Sequence, residues 1–212
     1  MIGIIGTAVT AYLLGSIPFA IIITRIVRGV DVRDYGSKNA GATNVYRVAG
    51  LKSALAVGIL DLFKGFVAVF WLAPLMADYS SLAVEYLQLI GAVSVVIGHM
   101  LTVFAGFKGG KGVLAAAGAL LALLPAEVGI SFGVFLVIVL VSRYISLGSI
   151  LATITLTAIV LIERFILKQP TPDRMIVLSV IITLVVIYAH RSNIERLLKG
   201  TENKIGGRRN GQ

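Results

Sequence analysis

Gly106-Phe107-Lys108-Gly109-Gly110-Lys111-Gly112 sets four glycines and two lysines between two apolar runs, 86–104 and 113–125. The flanks place this heptad where one hydrophobic segment leaves a bilayer and another enters. Glycines let successive N–H groups converge on an anion, and a helix starting near Val113 adds its own unpaired N–H groups. Lys108 and Lys111 supply fixed positive charge around Gly109 and Gly110. The chemistry this suits is phosphate binding. It is not a nucleotide-binding Gly-x4-Gly-Lys-Ser/Thr loop, because Gly112 stands where the metal-binding hydroxyl belongs and no apolar strand precedes it. The plainer alternative is a flexible, positively charged turn that only holds topology.

A second polar stretch, 34–47, carries Ser37, Asn39, Thr43, Asn44 and Arg47. Hydroxyls and amides donate hydrogen bonds, and the arginine fork fits a phosphate. The alternative is a turn-rich interfacial loop in which Ser37 and Asn39 satisfy only the backbone. Ser146 and Ser149, three apart at a helix start after Arg143, either cap that helix or hold a phosphate oxygen. His190 and Asn193 are spaced to point at one ligand from a helix leaving the membrane. Histidine accepts a hydroxyl proton near neutral pH and asparagine orients a hydroxyl or carbonyl. Alternatively, that segment is an amphipathic anchor whose Arg and Lys touch headgroups. Asp61 and Lys64, i and i+3 inside an apolar run, are costly charges that either buttress the site or form a structural ion pair. His99, one turn before the glycine loop, reads as a hydrogen-bonding partner of a neighbouring helix.

The elements that must position these groups are apolar runs. Seven are visible, about 3–26, 53–76, 86–104, 113–125, 127–143, 145–162 and 174–190, several shorter than the roughly 20 residues a straight span needs. The fold class that follows is all-α and polytopic, with about seven transmembrane helices. Residues 1–212 read as one domain, with 190–212 a cytoplasmic tail segment.

Of the nineteen basic residues, Arg164, Lys168 and Arg174 fall on one side of this arrangement and Lys64 inside a span; the rest, Arg208 and Arg209 included, fall on the other. That bias puts the N-terminus outside and the C-terminus in the cytoplasm, with a positive inner face that concentrates phosphorylated metabolites and anionic lipid. Hydrophobic residues make up 58% of the chain and charged ones 14%, with a mean hydropathy of +0.96. Such a composition excludes a water-soluble core. No cysteine and only two histidines leave little for a metal site, so no cofactor is expected. The net charge of +9 suggests nucleic acid, but the basic residues are dispersed among membrane loops without interleaved aromatics. The N-terminus lacks a basic region ahead of its apolar run, and the first segment reads as a retained helix.

Four blocks in order carry a resemblance: Gly36-Ser37-Lys38-Asn39-Ala40-Gly41-Ala42-Thr43-Asn44, Gly106 to Val113, Ser146-Leu147-Gly148-Ser149, and His190 to Lys204, with Asp61-x2-Lys64-Gly65 between the first two. Together they resemble the acyl-phosphate:glycerol-3-phosphate acyltransferase family of bacteria over nearly the whole chain. The resemblance implies a multi-pass enzyme of the cytoplasmic (inner) membrane, with its active site facing the cytoplasm. It would move a fatty acyl group from acyl phosphate to the 1-hydroxyl of glycerol 3-phosphate, giving lysophosphatidic acid and phosphate. Membrane lipid and functional coupling to the enzyme that makes acyl phosphate are implied as partners, and neither nucleic acid nor a nucleotide is. His190 and Asn193 would be catalytic. Ser37, Asn39, Thr43, Asn44, Arg47, Lys108, Gly109, Gly110, Lys111, Ser146 and Ser149 would bind substrate, with Asp61, Lys64, His99 and Glu202 in support. Lys38 departs from the family, which usually has glycine there. A transporter or flippase for a phosphorylated small molecule or lipid is the competing reading. It would call for an inverted repeat or a charged relay, and neither is visible.

Overall fold

The computed structural model describes residues 1–206; Arg208 and Arg209 of the charge count lie outside the described residues. Every regular element among the described residues is helical, and these residues divide into two compact units, Met1–Pro125 and the residues from Ala126 onward.

The first unit contains α1 (Ile2–Gly15), α2 (Phe19–Arg28), α3 (Ala42–Val67), α4 (Ala73–Leu75), α5 (Val84–Met100) and α6 (Val113–Leu121). Small residues decide how closely these helices approach. A Cβ added at Gly15 would stand 2.2 Å from the Val95 carbonyl, and one at Gly98 would stand 2.2 Å from that of Tyr12. Gly65 and Gly118 seat α3 against α6 in the same way, with added Cβ atoms 2.0 Å from Ala115 O and 1.8 Å from Leu62 O. Where lipid tails are as apolar as the helices, such close backbone packing is what remains to drive association.

The first apolar run is one helix in the hydropathy pattern, yet it breaks at Ser16–Pro18 because proline removes an N–H and cannot continue a regular ladder. The carbonyls released there find side-chain donors. The Thr102 hydroxyl donates to Ser16 O, and Lys64 Nζ donates to Ile17 O at 3.0 Å. A freed carbonyl in a bilayer demands such a partner. The second run begins at Ala42 rather than 53. Gly50, at φ 80° and ψ 179°, breaks α3 into a short arm bearing Thr43, Asn44 and Arg47 and a long membrane arm. Ahead of Pro74 the long arm widens into a π turn over Ala68–Leu72.

The second unit contains α7 (Pro125–Ser142), α8 (Ile145–Phe165), α9 (Asp173–Ala189) and α10 (Arg191–Leu198). Thr157 and Thr183 share a 2.8 Å hydrogen bond between α8 and α9, and Thr183 also donates to Thr153 O.

Five segments are long and apolar enough to cross a membrane, and six if the α9–α10 pair, bent by 60°, counts as one span. The all-helical, multi-span architecture is therefore as the composition requires, with five or six candidate spans among the described residues beside the expected count of about seven. The 113–125 run contains a helix of only nine residues, ending before Ala122, and hydropathy alone cannot distinguish a continuous helix from an apolar stretch that turns.

Candidate functional site

In the first unit, two loops meet. The loop between α2 and α3 is built around Asn44, 1% exposed. Its Nδ2 donates to Val32 O at 2.8 Å and Tyr35 O at 2.9 Å, and its Oδ1 accepts from the Ser37 N–H at 2.9 Å. The Asn44 amide is thus committed to shaping the loop, and it presents Ser37 at the surface, with Asn39 and Thr43 half-buried. Gly36 (φ 60°) passes so close that a Cβ would lie 2.3 Å from Asn44 Oδ1. Lys38 holds φ 57°, a left-handed conformation that glycine adopts without steric strain and a lysine side chain does not.

The glycine loop leaves α5 through a left-handed turn at Gly106 (φ 66°) and Phe107 (φ 60°). Lys108 is exposed, and Lys111 half-buried. The expectation that the amides of Gly109 and Gly110 form part of an anion nest meets a competing demand. Gly109 N–H donates to Met100 O at 3.0 Å and Gly110 N–H to His99 O at 3.1 Å, satisfying carbonyls at the C-terminus of α5. These glycines serve close approach: a Cβ at Gly109 would be 2.0 Å from His99 O, and one at Gly110 would be 2.2 Å from His99 Nε2 and 2.7 Å from Ala40 O. Beneath them Asp61 and Lys64 pair at 2.8 Å, with His99 Nδ1 3.5 Å from the same carboxylate oxygen. All three side chains are buried. Lys64 also lies over the Phe19 ring at 5.5 Å, and together these groups line a small cavity with Ala40, Thr102, Gly109 and Gly110.

Two residues that sequence reasoning did not single out join these loops. Asp31 accepts from the Arg33 backbone N–H, Nε and Nη2, all within 3.0 Å, and from Arg25 Nη2 at 3.0 Å. The hydrogen bond from the Arg33 guanidinium is the largest influence on the Asp31 carboxyl, holding it down to about 2. The signal was present in the sequence as Asp-x-Arg, one of few acidic residues on a basic face.

In the second unit, Glu202 is the centre. Its Oε1 accepts from Ser146 Oγ at 2.9 Å and Asn193 Nδ2 at 2.7 Å; its Oε2 accepts from Arg196 Nε at 2.7 Å. Burial pushes its carboxyl up, but the hydrogen bonds from Asn193, Arg196 and Ser146 prevail and it lies below the ordinary carboxylate range. The Ser146 proton is therefore directed to Glu202, and Ser146 ties the start of α8 to the tail. Ser149 is buried one turn on. His190 does not sit within a continuous helix with Asn193. It is the bend residue, closing α9 and opening α10, with Asn193 N–H bonded to His190 O at 2.8 Å. His190 is 3% exposed, and its Nδ1 lies 2.8 Å from Val186 O. A carbonyl only accepts, so Nδ1 carries the proton and a neutral ring has its lone pair at Nε2. Among the described residues no group of three or more His, Cys, Asp or Glu side chains could hold a metal ion.

A family model described as glycerol-3-phosphate acyltransferase matches residues 5–200. Among similar sequences, the glycerol-3-phosphate acyltransferase of Chlorobaculum tepidum is 38% identical, covering 99% of this chain and 100% of its own length. That of Chlorobium phaeobacteroides is 40% identical over 97% of each. Two crystal structures of PlsY (YgiH), an integral membrane glycerol 3-phosphate acyltransferase, superpose on this chain. The glycerol 3-phosphate form gives a TM-score of 0.84 at 38% identity, covering 96% of each chain. The lysophosphatidic acid form gives 0.80 at 39% identity, covering 96% of this chain and 95% of that one.

Proposed function

The chain belongs to the glycerol-3-phosphate acyltransferase family, and from that premise we propose that it esterifies the 1-hydroxyl of glycerol 3-phosphate with a fatty acyl group taken from acyl phosphate. The products are lysophosphatidic acid and inorganic phosphate. The carbon–oxygen bond between acyl carbonyl and phosphate breaks as the new ester bond forms, and the hydroxyl proton leaves the acceptor. The related structures in acceptor-bound and product-bound forms support this choice of acceptor and product. The reaction takes place at the cytoplasmic face of the bacterial inner membrane, with the N-terminus outside, a reading that rests on the basic-residue bias.

Lys108, Lys111 and Arg47 bind the acceptor phosphate with Ser37, because a dianion at a membrane surface is best held by fixed cations and surface donors. Ser149, with Ser146 beside it, binds the donor phosphate. His190 Nε2 takes the proton from the attacking hydroxyl, and Asn193, held by Glu202, orients that hydroxyl. The observation that carries this assignment is the Nδ1 contact to Val186 O, which fixes the tautomer a general base requires. Phosphate is already a good leaving group, so orientation supplies much of the remaining acceleration.

The deciding experiment gives detergent-purified protein glycerol 3-phosphate and acyl phosphate, with no other enzyme, and looks for a monoacylated phospholipid. No product alongside an active relative would refute the reaction. In the same assay, near-normal turnover by His190→Ala would transfer the base role to the dianionic donor phosphate.

A further inference from the structure

The Arg33 side chain reaches across 72 positions of sequence to the glycine loop. Its Nη1 donates to Ala105 O at 2.7 Å and to Lys108 O at 3.4 Å. Those two carbonyls flank Gly106 and Phe107, the consecutive residues at positive φ. Phenylalanine rarely adopts that conformation, so the turn needs an outside hold. Arg33 supplies it while its Nε and Nη2 grip both oxygens of Asp31. A fork gripped on one edge has one orientation left for its remaining donor. Asp31 itself is anchored in the other loop, as its carboxylate accepts the Arg33 backbone N–H and Arg25. Its depressed carboxyl keeps that grip charged across the physiological range.

We infer that Arg33, aimed by Asp31, is a positioning residue for acceptor binding: it clamps the left-handed turn of the glycine loop and so fixes where Lys108 presents its ammonium group. The inference rests on the assignment of Lys108 to the acceptor phosphate. In this role Arg33 acts through Lys108 rather than on the acceptor phosphate itself. Four of its five guanidinium N–H donors are directed at Asp31 and at the Ala105 and Lys108 carbonyls.

The test is a double-mutant cycle in the acylation assay. Lys108→Ala alone is expected to raise KM for glycerol 3-phosphate. Arg33→Ala is expected to raise it about ten-fold with kcat within about three-fold, and the double variant to be no worse than Lys108→Ala. Millimolar guanidinium should restore the KM of Arg33→Ala. Arg33→Lys should not rescue it, because a point charge cannot serve Asp31 and both carbonyls together. Asp31→Asn, which keeps the arginine but removes its aim, provides the same KM readout if Arg33→Ala fails to fold. Multiplying KM effects in the double variant, or an unchanged KM in both Arg33→Ala and Asp31→Asn, overturns the inference alone. An unchanged KM in Lys108→Ala overturns the assignment of Lys108 and the inference with it.

Discussion

Gly110 lies flush against His99: its N–H donates to the His99 carbonyl at 3.1 Å, and a Cβ on it would stand 2.2 Å from His99 Nε2. The glycine loop is thus registered on a buried histidine, which in turn lies beside the Asp61–Lys64 pair. Gly110→Ala should displace the ring or lift the loop from Ala40 O, with an overpacking cost of about 1–3 kcal/mol. Activity is expected to fall more than ten-fold. Thermal unfolding and initial rates check this together, and a fully active Gly110→Ala enzyme would show that the contact has slack.

Lys38 occupies a left-handed position at φ 57°. A side chain there costs about 1–2 kcal/mol, while glycine costs about 0.5–1 kcal/mol in unfolded-state entropy. Lys38→Gly should therefore stabilise the protein by about 0.5–1 kcal/mol, read as a rise in Tm. A lowered Tm would mean that the lysine makes a compensating interaction.

Lys64 and Asp61 are both 2% exposed and paired. Lys64→Met leaves the carboxylate buried without its cation and takes from Ile17 O one of its two donors, the Phe19 N–H remaining, and should destabilise by about 3–5 kcal/mol. The double variant Asp61→Asn/Lys64→Met should recover most of that loss, since neither charge is then buried. Unfolding in detergent separates the two outcomes. No recovery would locate the importance of Lys64 in the Ile17 contact.

Glu202→Gln keeps an acceptor for Ser146 and Asn193 but turns an amide toward Arg196 Nε. Turnover should drop about ten-fold, with KM for the acceptor little changed, as Asn193 loses its fixed orientation. The pH dependence has a definite sign. The folded carboxyl lies below its unfolded value of 4.5, so the unfolded chain takes up the proton first as pH falls. The stabilisation is complete above the unfolded value and is lost as pH falls through the folded one. The Tm difference between wild type and Glu202→Gln should shrink in acid; a gap independent of pH would sink this account.

How much of this was legible before folding differs by residue. That Asp61 and Lys64 would pair was written in their i, i+3 spacing, which fixes neighbours on any helix. The start of α6 beside Val113 followed from the apolar run that opens there, and the structure adds Gly112, at φ 80°, as its cap. The break at Pro18 was also available, from proline chemistry, although the hydropathy of 3–26 hides it.

By itself, the sequence settled the solvent: a chain this apolar with so few charges must span a bilayer as helices, because backbone groups in hydrocarbon can be satisfied only within the fold. It also settled which loops carry cations. Only the tertiary structure decided how polar groups are spent: that Asn44 braces its own loop, that Gly109 and Gly110 give their amides to α5, that Arg33 joins Asp31 to Ala105, and that Glu202 gathers Ser146, 56 positions away, with Asn193 and Arg196. Hydropathy and short spacings are local properties, whereas a hydrogen bond between distant segments depends on how the helices pack. In a membrane that packing is governed by where small residues allow backbones to touch.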